Sequence, residues 1–111
     1  MSNQEATTIT AHAQVLTLIN VFDVAPDRQQ ALVELLERAT VEVMRRRPGF
    51  ISANIHRGLD GRSVANYAQW ATREDFERML EDPEAQVHMR EASAMARATP
   101  LLYEVSSVHH R

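Results

Sequence analysis

The stretch from Val15 to Val24 constrains the fold of this chain more than any other. Its residues are mostly β-branched, aromatic or leucine, and in an extended backbone Val15, Ile19 and Val21 fall on one side while Leu16, Leu18 and Phe22 fall on the other. Successive side chains of a strand alternate between faces, so a strand that is apolar on both must be covered on both. Helices packed on one side of a sheet supply a single cover. The second face needs its own.

The rest of the chain supplies the first cover. Pro26 opens a segment in which Leu32, Leu35, Leu36, Ala39 and Val43 recur at helical spacing, and Pro48-Gly49 stops it. Phe50 to Arg57 alternates, Asp60-Gly61 signals a hairpin, and Val64 to Trp70 alternates again. Thr72 is an N-cap candidate with Asp75 three residues on, leading into Phe76, Met79 and Leu80. Asp82-Pro83 restarts a helical stretch expected to reach about Ala98 and to end at Pro100, and Leu101 to Val108 is expected as the last strand. The order is β-α-β-β-α-β. It predicts an α+β, ferredoxin-like split βαβ domain with a four-stranded antiparallel sheet and both helices on one face.

Strand periodicity also predicts which residues share a face. With a hairpin loop of two or four residues, Ile51, Ala53, Ile55, Asn66, Ala68 and Trp70 lie under the helices, and Phe50, Ser52, Asn54, His56, Tyr67 and Gln69 lie opposite. An odd-length loop would flip the pairing. The second set is too aromatic for a purely solvated face and too polar for a core, which suits a wet interface with the sheet of another copy. A homodimer is therefore expected.

Composition narrows the function classes. At 111 residues there is room for one domain, expected over 13–111 behind a flexible lead of 1–12. The net charge is -3, and apart from Arg45-Arg46-Arg47 the arginines are scattered, so no basic stripe exists to neutralise a phosphate backbone. Nucleic acid is not an expected partner. All twelve cations are arginine, which removes Schiff-base chemistry through lysine, and the absence of cysteine removes thiolate nucleophiles and cysteine-based metal sites. No apolar stretch approaches the ~20 residues of a membrane span, and Met1 to His12 lacks the pattern of a signal peptide. A cytoplasmic protein without membrane contact is expected.

The familiar catalytic signatures are missing too. Glycine occurs only at 49, 58 and 61, so there is no phosphate-cradling loop, dinucleotide fingerprint or nucleophile elbow. The histidines at 12, 56, 88, 109 and 110 never fall four apart on a helix, and no metal site is expected. What stands out is Asn66 with Trp70, four apart on the strand face expected beneath the helices. Core packing accounts for a tryptophan there. Nothing in folding asks for an amide in mid-strand on an apolar face, where it must find partners. His88 lies on the apolar side of the second helical stretch with Ala85, Ala92 and Met95, whereas Arg90 is about 160° around from it.

In order and spacing, Leu18-Ile19-Asn20-Val21-Phe22, Arg47-Pro48-Gly49-Phe50-Ile51, Asn66-Tyr67-Ala68-Gln69-Trp70, Phe76-Glu77 and Asp82-Pro83 make the chain similar to the antibiotic biosynthesis monooxygenase superfamily from Val15 to Val108. The resemblance implies a dimeric α+β barrel. In its best-known branch it implies oxidation of phenolic polyketide-like aromatics to quinones with molecular oxygen and no flavin, metal or haem. Asn66, Trp70 and Arg90 match that branch's pocket positions, and the resemblance implies catalytic roles for them: an amide for developing charge, a stacking wall, and a cation for the phenolate. Asn20, Phe76 and His88 are expected to contact the substrate, with His88 a candidate acid or base. Phe76 stands where the pattern has a tyrosine, which removes a hydroxyl. The superfamily also has a haem-degrading branch; Asn20 fits its asparagine, Met79 stands at its tryptophan position, and His88 fits its ligand with a one-residue shift. Isomerases and non-catalytic ligand-binding dimers complete the alternatives.

Overall fold

The computed structural model describes residues 5–11 and 14–111. The expected 12/13 boundary and His12 lie outside the described residues. The elements run β1 (Leu16–Val24), α1 (Gln29–Glu42) after one 3-10 turn at Pro26–Arg28, β2 (Phe50–Arg57), β3 (Ser63–Trp70), α2 (Arg73–Leu80), α3 (Pro83–Met95) and β4 (Ala96–Tyr103). The four strands form one antiparallel sheet in the order β2-β3-β1-β4. This is the ferredoxin-like arrangement expected.

Arg57 pairs with Val64, so the hairpin connection spans 58–63, an even number, and the face assignment follows the even-loop expectation. One exchange occurs. The register slips between Phe50 and Ser52, so Phe50 pairs with Trp70 and turns under the helices, while Ile51 is left 47% exposed. A bulge adds one residue to a strand and so reverses the faces of everything before it. The start of β2 is set by Gly49, which has φ +83° and leaves no room for a Cβ beside the Asp75 side chain. Ala71 N–H donates to Gly49 O at 2.7 Å, tying this corner to the end of β3.

A second expectation is corrected at the C-terminal end. The last helix stops at Met95 rather than near Ala98, and β4 takes Ala96–Tyr103 rather than Leu101 to Val108. The alanine-rich run favours helix locally. Pairing with β1 overrides it, because every residue from Val24 back to Thr17 finds a partner from Ala96 to Tyr103. Pro100 does not end a helix; it sits inside β4, an edge strand where its missing N–H costs no ladder bond.

α1, α2 and α3 cover one face of the sheet in two apolar clusters. One gathers Leu18, Ala68, Trp70, Phe76 and Met79; the other gathers Phe22, Val24, Leu32, Leu35 and Val64. α3 is fixed at its start by the Asp82 cap, whose Oδ1 accepts from Glu84 N–H at 2.8 Å and Ala85 N–H at 3.2 Å. Arg47 pairs with both Asp82 and Glu84, the latter at 3.0 Å. The hydrogen bond from Arg47, with smaller help from the Ala85 and Glu84 N–H groups, holds the Asp82 carboxyl below its ordinary 3.8.

On the other face, Gln69 is buried in a polar network. It accepts from Ser52 Oγ at 2.7 Å and donates to Tyr67 Oη at 3.1 Å and to Thr8 O at 2.9 Å. Thr7 Oγ1 also bonds to Asn54 Oδ1, so the described part of the expected free lead is laid along β2 and β3. The β1–β4 half stays open, with Val21, Leu101 and Tyr103 all more than 40% exposed. Among the described residues no helix is long and apolar enough to cross a membrane.

Candidate active site

Between the two apolar clusters the helix-side face of the sheet changes character. Along β1 the inward residues run Leu18, Asn20, Phe22, and along β3 they run Ala68, Asn66, Val64. Asn20 and Asn66 are direct cross-strand partners, flanked in the same row by Ile55 on β2 and Pro100 on β4. Two amides thus occupy the middle of a face whose ends are core. Both Oδ1 atoms are buried, and none of the described residues supplies either with a hydrogen-bond partner. An unsatisfied buried polar atom costs ~1–3 kcal/mol, so a folding argument would remove these two residues rather than pair them.

A cavity of about 430 Å³ opens above the two amides, within the usual size of ligand sites. Its walls are otherwise mainly apolar: Leu18 and Phe22 from β1, Leu36 and Ala39 from α1, Met79 and Leu80 from α2, Met89 and Ala92 from α3. One end is aromatic. Trp70, 2% exposed, meets Phe50 edge-on at 5.4 Å and 87°, and Phe76 at 6.2 Å and 63°. The bulge places Phe50 there, and the Thr72 cap, accepting from Asp75 N–H at 3.0 Å, starts the helix that carries Phe76. His88 enters from α3; its Nδ1 is buried and faces Glu91 Oε1 at 3.4 Å.

Of the six residues singled out from the sequence, five line this cavity: Asn20, Asn66, Trp70, Phe76 and His88. Arg90 does not. It is exposed and absent from the cavity wall, because two positions along α3 from His88 is almost half a turn past the inward side. Sequence reasoning missed Phe50, Thr40 and Pro100 as wall residues. Only the bulge and the early start of β4 bring the first and last inward.

A ferredoxin-like α+β domain with an amide-bearing apolar cavity between sheet and helices defines a class of small-ligand proteins. Within that class, the antibiotic biosynthesis monooxygenase family matches residues 15–91. Tetracenomycin-F1 monooxygenase of Streptomyces glaucescens is 40% identical over 99 residues, covering 89% of this chain and 88% of that protein. The chain belongs to the antibiotic biosynthesis monooxygenase family, and the monooxygenase class expected from the sequence holds with it. Among solved structures, the monooxygenase ActVA-Orf6 of Streptomyces coelicolor, in complex with nanaomycin D, superposes with TM-score 0.79 at 26% identity, covering 86% of this chain and 91% of that one. SnoaB of Streptomyces nogalater, a cofactor-independent oxygenase, gives 0.75 at 25% identity, covering 86% and 97%.

Proposed function

We propose that the protein is a cofactor-free monooxygenase that oxidises a phenolic, polyketide-like aromatic to a quinone with molecular oxygen. The observation that carries this reading is the Asn20–Asn66 pair, two amides facing each other across β1 and β3 in the floor of a mainly apolar cavity, their buried Oδ1 atoms without a partner among the described residues. A flat polycyclic substrate stacks on the Trp70, Phe50 and Phe76 end, and its oxygens reach the amides. The balance needs no reductant. An aromatic C–H and a phenol O–H are lost, one oxygen atom becomes the new quinone carbonyl, and the other leaves as water. All four electrons taken up by oxygen come from the substrate. The protein's task is then to bind, exclude water and stabilise charge on the reduced oxygen, for which fixed dipoles in a dry site are effective.

Oxygen uptake with hydroxylated anthrones or naphthols, followed by mass spectrometry under labelled oxygen, tests this. One labelled atom in a quinone product, with full activity in chelator, is the expected result. Quinone formed without oxygen, or no uptake with any such phenol, would overturn it.

Homodimerisation belongs to the same proposal. Val21 on β1 and Leu101 and Tyr103 on β4 form an apolar strip on the outer face of the sheet, beside the half that residues 5–11 cover. Strips of this kind on a small domain mark association surfaces. The proposed setting is the cytoplasm.

A further inference from the structure

We infer that His88 is the base that takes the phenolic proton from the substrate, with Glu91 as its positioning residue. The inference deepens the oxygenase reading and rests on it for the kind of ligand. Ring oxidation by oxygen begins from an electron-rich phenolate, so something must accept the proton or hold the charge. Arg90 is exposed and absent from the cavity wall. Phe76 carries no hydroxyl. Of the described residues that line the cavity, His88 is the only one that carries a side-chain base; the other polar wall groups are the amides of Asn20 and Asn66, the hydroxyls of Thr40 and Ser93, and the indole of Trp70.

The geometry suits the role. Nδ1 is buried without a hydrogen bond and faces Glu91 Oε1 at 3.4 Å, so Nε2 is the ring nitrogen left for a ligand. The imidazole side chain is 17% exposed, whereas that of Glu91 is 54% exposed and in contact with water. Glu84, one turn back on α3, is already paired with Arg47. From the other elements the groups lining the cavity are neutral: Asn20 on β1, Asn66 on β3, Leu36 and Thr40 on α1, and Pro100 on β4. In the step, the phenol O–H bond breaks, its electron pair stays on oxygen, and the proton forms the Nε2–H bond of an imidazolium. The Glu91 carboxylate, 3.4 Å from Nδ1, favours that imidazolium by charge. Thr40 is no competitor, since its Oγ1 donates to Leu36 O at 2.9 Å and a hydroxyl does not accept a proton at neutral pH.

The test separates proton transfer from oxygen chemistry by excluding oxygen. 1,5-Dihydroxynaphthalene, whose absorption moves to longer wavelength on ionisation, is titrated anaerobically into the protein at neutral pH. Quenching of Trp70, the sole tryptophan, reports its binding. The wild type should show the phenolate band in the complex. His88→Gln should still quench Trp70 but lose the band by about tenfold or more, with recovery on adding imidazole. Glu91→Gln should keep binding and shift the onset of the band to higher pH. His88→Asn serves if the glutamine variant fails to fold, and in wild-type protein with labelled histidine, NMR should show the His88 ring becoming protonated as the probe binds. A bound probe that stays neutral, a band unchanged in the histidine variants, or a His88 ring that stays neutral beside an ionised probe would each overturn the inference. A wild type that forms the band yet takes up no oxygen with any phenol would sink the oxygenase reading and leave this one standing.

Discussion

Asn66 sits between Ala68 and Val64 on a face that is otherwise core, and its cross-strand neighbour is a second amide rather than a partner for its Oδ1. That pairing sets competing expectations for Asn66→Ala. If the amide holds charge on reacting oxygen, turnover should fall by roughly 10²–10³, the scale for loss of one such donor. Stability should hold or rise, because an unsatisfied buried group is gone. A thermal melt and a turnover assay on one sample decide it; a destabilised, fully active variant would end the catalytic role. Asn20→Ala should behave in the same direction, and the double variant should lose less than the product of the single losses, since both amides act on one ligand. Asn66 was legible because strand alternation fixes its face and folding gives no reason for it. Asn20 was legible only through family resemblance, since one polar residue in a mostly apolar strand carries no such contradiction. Arg90 stays off the cavity wall because it lies about 160° around α3 from His88, a phase already legible in the spacing of the two residues.

At the scale of elements, the corner that joins β2 to β3 and α2 decides the shape of the aromatic wall. Gly49→Ala forces an L-residue to φ +83° with its Cβ against Asp75. It should cost roughly 1–3 kcal/mol. The loss should appear as a lower melting temperature and a blue- or red-shifted Trp70 emission, because Phe50 packs on that ring; an unchanged melt would show that the corner yields cheaply. The start of α3 is a second such joint. Asp82 has a carboxyl held below 3.8 in the folded chain, so its contribution is present above that value and fades as the pH falls through the folded-state value. Asp60 adds to the same acid window, held low first by the Arg62 N–H and then by the Ser63 hydroxyl. Melting followed downward from about pH 6 should therefore steepen below the ordinary aspartate range. Asp82→Asn, which keeps the cap acceptor but not the charge, should melt lower at neutral pH and show a shallower acid slope; an unaltered slope would remove Asp82 from the account. Turn and cap residues made most boundaries legible from the sequence. The bulge at Phe50 and the switch to strand at Ala96 were not, since both are settled by pairing with distant strands rather than by the local residues.

For the molecule as a whole, β1 joins two surfaces. Its inward residues Leu18, Asn20 and Phe22 line the cavity, while Val21 on its reverse side belongs to the open apolar strip with Leu101 and Tyr103. The double-sided apolar pattern made the need for a second cover legible from sequence, but not which half of the outer face would stay open, because residues 5–11 reach back over β2 and β3 through Thr7 and Thr8. If a second copy covers the strip, it also braces β4, an edge strand that among the described residues pairs only with β1 and whose inward Ala98, Pro100 and Leu102 form one cavity wall. Leu101→Glu tests both parts. In a two-fold interface the new charge meets the same surface twice, and like charge or unpaired burial there costs several kcal/mol, so dimer dissociation should rise by about 10²-fold or more. Sedimentation at micromolar concentration should then show a monomer that keeps its sheet by circular dichroism. Its turnover per chain should fall, and wild-type turnover per chain should fall likewise on dilution through the dissociation constant. Wild-type protein that sediments as a monomer would remove the dimer altogether, and a monomeric Leu101→Glu variant with full turnover would show that the cavity is complete within one chain.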